Sequence, residues 1–96
     1  MPIYVMLTKA TDEGAKMARE RIPKSSEKPV NKGLNDAGIK VLHQYMLLGE
    51  YDWINVLEAP SDVDVLKEAV NISSLGTVRT LTMPAVSISE LKEIMK

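Results

Sequence analysis

Apolar residues cluster in four short runs along this chain, and between the runs they recur at roughly helical spacing. Residues 3–9, IYVMLTK, combine β-branched, aromatic and long apolar types and predict a mostly buried strand. Thr11 then fits a helix N-cap, with Asp12 and Glu13 in the first turn, where the helix dipole favours negative charge. Ala15, Met17, Ala18 and Ile22 supply an approximate helical stripe, and Pro23 is expected to end or kink that helix. The stretch PKSSEKP is polar and carries two prolines, so it predicts a break or a surface turn. A second helical piece is expected over about Glu27 to Ala37, with Val30, Leu34 and Ala37 on one side and Gly38 as a left-handed stop.

Residues 39–48, IKVLHQYMLL, predict a second strand, and residues 53–59, WINVLEA, a third. Between them Gly49-Glu50-Tyr51-Asp52 is short and glycine-led and reads as a tight hairpin connection. Pro60 closes the third strand, and Ser61 fits the cap of a helix with Asp62 and Asp64 in its first turn. Val63, Leu66, Val70 and Leu75 are expected to line its apolar side, with Ala69 between, and Gly76 to end it. Residues 77–86, TVRTLTMPAV, predict a fourth strand in which Pro84 marks an edge position or a bulge. Ser87 or Ser89 fits the cap of a short terminal helix whose Ile88, Leu91, Ile94 and Met95 need apolar surface to cover, its own or a partner's.

The resulting order, β-α-β-β-α-β plus a terminal helix, is that of the ferredoxin-like α+β unit: a four-stranded antiparallel sheet with helices on one face. A sheet covered on one side usually carries a polar bare face. Strand residues alternate faces, and here both faces are largely apolar. In the first strand Ile3, Val5 and Leu7 oppose Tyr4, Met6 and Thr8. In the second, Val41, His43, Tyr45 and Leu47 oppose Leu42, Gln44, Met46 and Leu48; in the third, Ile54 and Val56 oppose Trp53, Asn55 and Leu57. An exposed apolar face of several hundred Å² is unusual in a monomer, so the pattern predicts a homodimer, most simply with a two-fold axis, or a higher homo-oligomer, that packs two bare faces together.

Composition narrows the classes. The 96 residues fit one domain, and 45% apolar with 26% charged residues argues against intrinsic disorder. No apolar run approaches a membrane span and no leader pattern opens the chain, so a cytoplasmic protein without membrane partners is expected. Cysteine is absent, which excludes disulfides and thiolate chemistry, and a net charge of −1 argues against a broad nucleic-acid surface. With one histidine and no HExxH or clustered acidic pattern, no metal is expected; isolated glycines and the lack of a GxSxG frame remove phosphate loops and serine hydrolases. No cofactor is implied.

Candidate chemistry collects on the hairpin. A two-residue turn at Glu50-Tyr51 sets Gly49 against Asp52, Tyr45 against Val56, and His43 against Glu58. His43, Tyr45 and Glu58 then share a face, and a histidine beside a carboxylate suits proton transfer near neutral pH. The alternative is an ordinary cross-strand ion pair. A turn one residue longer would send His43 and Glu58 to opposite faces. Tyr51 and Asp52 are candidates to fix a ligand at a cavity mouth, or to shape the turn and the dimer seam. Trp53 is a packing anchor or a ligand platform. Arg79, beside Thr80, suits an anionic ligand or an ion pair across the interface. Pro2 raises the possibility of an amino-terminal proline base, as in tautomerases, but the four-strand order does not match theirs.

Several short segments together resemble the GYD domain family. MPIYVMLTKATDEGAK is similar to its opening strand and helix, Gly49, Tyr51 and Asp52 match its naming motif with Glu50 inserted, and YDWINVLEAPSD and SSLGTVRTLTMPA resemble its third and last strands. The resemblance covers residues 1–86, and PKSSEKP is more proline-rich than the pattern. It implies a dimeric α/β barrel, an architecture shared by monooxygenases, isomerases and small-molecule-sensing domains, and it brings no reaction with it. Two functions are therefore expected. The first is a dimeric domain that binds a small apolar or aromatic molecule or serves assembly. The second is a cofactor-free monooxygenase or isomerase acting on a small aromatic or quinol-like substrate. In that enzyme His43 is the base, oriented by Glu58, with Tyr45 or Arg79 stabilising an oxyanion.

Overall fold

The computed structural model describes residues 1–24, 34 and 37–96. In chain order these form β1 (Ile3–Ala10), α1 (Asp12–Arg21), a single 3-10 turn (Ile22–Lys24), β2 (Lys40–Met46), β3 (Trp53–Glu58), α2 (Asp62–Ser74), β4 (Val78–Ala85) and α3 (Ile88–Ile94). The strands make one antiparallel sheet in the order β2-β3-β1-β4. This is the expected ferredoxin-like topology, with β2 and β4 at the edges. Pro84 accordingly sits in an edge strand, opposite Tyr4. The helical piece expected over Glu27 to Ala37 lies outside the described residues apart from Leu34 and Ala37; Leu34 is buried in the core and Ala37 packs against it.

Each of the helices α1, α2 and α3 begins on a hydroxyl cap. Thr11 Oγ1 accepts from the Gly14 amide, Ser61 Oγ from Asp64 and Ser87 Oγ from Glu90. Pro23 lies in the 3-10 turn that follows α1, as its ring geometry requires. At the end of α2, Gly76 takes a φ of +77°, the left-handed stop that a side chain would strain.

The start of α1 is clamped to the loop between α2 and β4. The Thr11 amide donates to the Thr77 carbonyl at 2.9 Å, and its hydroxyl donates to the Gly76 carbonyl at 2.9 Å. Gly14 lets the helix come this close, because a Cβ there would stand 1.8 Å from the Thr77 carbonyl oxygen.

The core joins Tyr4, Met6 and Leu57 on one sheet face with Ile39, Ala59, Leu34 and Val65. Two expectations about faces are corrected. Helix α2 buries Val65 and packs Ala69 and Ile72 inward, while Val63, Leu66 and Val70, expected on its core side, are 72%, 64% and 60% exposed. Leu75, expected beside them, is exposed as well. The cause is Asp62, whose carboxylate accepts from the Tyr4 hydroxyl and so turns the 62-65-69-72 stripe toward the sheet. Along β2, a bulge between Val41 and His43 puts Val41 opposite Leu57, on the core side, instead of beside His43.

Candidate functional site

The hairpin that carries most candidate residues is longer than expected. Leu47 donates its amide to the Asp52 carbonyl at 2.7 Å, which leaves four residues, Leu48 to Tyr51, in the loop. Asp52 is held there from the other side. Its amide donates to the Thr8 carbonyl at 2.8 Å, and its Oδ2 accepts from the Ala10 amide at 2.6 Å. Tethered to the end of β1, Asp52 is unavailable to pair with Gly49 in a two-residue turn.

The register therefore shifts by two residues. His43 lies opposite Val56 and Tyr45 opposite Ile54, while Lys40, not His43, lies opposite Glu58. A shift of two preserves the face, so His43, Tyr45 and Glu58 still share the bare side of the sheet. Glu58 is one pleat repeat, about 7 Å, further along β3 than the partner of His43. Among the described residues neither an ion pair nor a hydrogen bond joins His43 to Glu58. The ring contact is instead between His43 and Tyr45, whose centroids are 6.3 Å apart and nearly parallel at 11°.

Around this stacked pair the bare face is apolar. Ile3, Val5 and Leu7 of β1 run between Ile54 and Val56 on one side and Leu81, Met83 and Ala85 on the other. Tyr45 is 60% exposed, and Leu81 and Met83 are exposed too. Lys9 and Arg79 face each other at one end of the β1–β4 pair. Arg79 Nη1 donates to the Ser73 and Val78 carbonyls at 3.2 and 3.3 Å. Helix α2 has no basic residue in its last turn, so Arg79 brings the cation that its C-terminal carbonyls favour. It makes no ion pair within the chain among the described residues.

On the covered side, a cavity of about 650 Å³ lies between α1 and the sheet. Its lining includes Met6, Thr8, Trp53, Asn55 and Gln44 from the strands and Met17 and Arg21 from the helix. Trp53 thus faces this cavity, not the bare face. Asn55 is 7% exposed, and its Oδ1 has no hydrogen-bond partner among the described residues. This residue escaped the sequence reading, although a lone amide at a core-facing position within WINVL is a visible signal. Tyr51 is half-buried in the hairpin loop. Pro2 serves the sheet, its carbonyl accepting from the Ala59 amide at 3.1 Å.

A ferredoxin-like α+β domain with one bare apolar sheet face and a hairpin tied down by an aspartate is the class these features define. The GYD domain matches residues 4–95, and the chain belongs to that family. Over 94 residues and 95% of both chains it is 37% identical to a Thermus thermophilus protein named "Glutamine synthetase and cystathionine beta-lyase binding protein". A solved structure, that of FFRP-DM1, superposes with a TM-score of 0.56 over 90% of this chain and 100% of its own, at 20% identity, and shares the fold. Among the described residues no helix is long and apolar enough to cross a membrane.

Proposed function

We propose that this chain is a non-catalytic, homodimeric binding module that docks on metabolic enzymes. The observation that carries the reading is the bare apolar face. Two copies meeting face to face remove Val5, Leu7, Val56, Leu81 and Met83 from water, each Å² of apolar area being worth roughly 25 cal/mol. In that arrangement the helices point outward, and the stripe Val63, Leu66 and Val70 on α2 stays available to a partner protein. The Thermus thermophilus relative is named for binding two enzymes of this kind, which supports glutamine synthetase and cystathionine β-lyase as the partners to try first.

The experiment is an interaction measurement with those two enzymes from the chain's own organism. Wild-type protein is expected to bind at least one of them. Leu66→Asp is expected to lose binding by about ten-fold or more while keeping its fold and its dimer, because buried interface anchors dominate affinity and exposed helix positions tolerate charge. Binding unaffected by Leu66→Asp would remove α2 from the interface, and no binding to either enzyme would remove the partner assignment.

The oxygenase or isomerase reading relies on a His43–Glu58 pair. The register sets Lys40, not His43, opposite Glu58, and among the described residues no ion pair joins a carboxylate to His43. His43→Ala is expected to leave partner binding intact.

A further inference from the structure

Close packing normally fills the space between a helix and the sheet it covers, and voids larger than a water are few. Here residues of α1, among them Met17, Ala18 and Arg21, and the covered face of the sheet line a space of about 650 Å³, within the range of small-ligand sites. Met6, Met17, Met46 and Trp53 make an apolar, polarisable surface suited to a flat ring. Asn55 lies among them on the central part of β3, almost wholly buried, with an acceptor oxygen that no group among the described residues satisfies. Buried amides in native proteins are paired, so this oxygen calls for a donor. Arg21, exposed at the end of α1, also lines the space and offers a guanidinium.

We propose that this cavity binds a small aromatic acid bearing a hydroxyl or amino donor. The ring lies against Trp53 and the methionines, the donor satisfies Asn55 Oδ1, and the carboxylate meets Arg21. The site is on the opposite side of the sheet from the face assigned to the second copy, so it stands or falls independently of the dimer.

Trp53 is the chain's one tryptophan, so its emission reports on this cavity alone. The test titrates the purified full chain with 4-hydroxyphenylacetate, phenylacetate and 4-methylphenol, following Trp53 emission and calorimetric heat, with native mass recorded in parallel. 4-Hydroxyphenylacetate is expected to saturate and to bind about ten-fold or more tighter than phenylacetate, because a site built to pair a hydroxyl rejects the analogue lacking it. It is also expected to outbind 4-methylphenol, which lacks the carboxylate. Asn55→Leu is expected to abolish the preference over phenylacetate, and Arg21→Gln the preference over 4-methylphenol. Should Asn55→Leu fail to fold, Ala18→Phe fills the space from the helix side and is expected to abolish binding with helix content unchanged. The absence of saturable binding by all three acids and phenols, or equal affinity for them in the wild type, overturns the proposal; equal affinity would mean that water satisfies Asn55. A change in native mass without a change in emission would place the ligand elsewhere and overturn it as well.

Discussion

Two side chains show how single polar groups orient this fold. The hydroxyl of Tyr4, a buried residue near the start of the inner strand β1, donates to Asp62 at the first turn of α2. That hydrogen bond, then burial, then the nearby Asp62 and Asp64 charges push its pKa from 10.0 up to about 12. The folded state thus holds the phenol's proton more tightly than the unfolded state does. The stabilisation is complete below pH 10 and is lost as the pH rises through about 12. Denaturant midpoints measured across this range are expected to fall for the wild type more steeply than for Tyr4→Phe, and equal slopes would contradict the linkage. Asp52 is the second case. Removing its carboxylate in Asp52→Ala leaves the Ala10 amide unpaired and is expected to cost about 1–3 kcal/mol in urea unfolding. Asp52→Asn keeps an acceptor and is expected to cost less. A purely ligand-binding Asp52 would leave both variants as stable as the wild type.

At the scale of elements, the fit between α1 and the α2–β4 loop depends on the missing side chain at Gly14. Gly14→Ala forces a methyl into the Thr77 carbonyl, and the backbone must move to admit it. A loss of about 1–3 kcal/mol is expected, as for other overpacked sites. In thermal unfolding that is a fall of roughly 4–8 °C per kcal/mol for a domain of this size. An unchanged melting temperature would show that the helix end is free to shift. The sequence pattern made the strands, the caps at Thr11, Ser61 and Ser87, and the stop at Gly76 legible, because each depends on residues close in the chain. It misassigned the inner side of α2 because that helix carries two apolar stripes at helical spacing, 63-66-70 and 65-69-72. Periodicity cannot rank them; the long-range bond from Tyr4 to Asp62 does. The hairpin register was hidden for the same kind of reason. Nothing in GEYD reveals that Asp52 is engaged by β1, and that contact sets the loop length and moves Glu58 away from His43. The shared face of His43 and Tyr45 was nonetheless readable, because a two-residue shift leaves side-chain alternation intact.

At the scale of the whole molecule, one sheet separates two surfaces of different use. The covered side holds the core and the cavity; the bare side holds apolar residues that a lone chain leaves in water. Val5 sits at the centre of that bare side, between Val56 and Met83 on neighbouring strands. If two copies meet there, the two-fold axis brings each substitution at this position in twice, so one added carboxylate per chain becomes two within an apolar seam. Such charges are costly to bury unpaired. Val5→Glu is therefore expected to sediment as a monomer at concentrations where the wild type sediments as a dimer, whereas Lys67→Glu, outside on α2, is expected to leave the dimer unchanged. The Val5→Glu monomer should keep its helix content, since the covered side is untouched, but lose stability as its face no longer gains from burial. A wild-type monomer, or a Val5→Glu dimer of undiminished strength, would mean that something other than a second copy covers the sheet. The enzyme partners would then be the surface to test against the open face, ahead of α2.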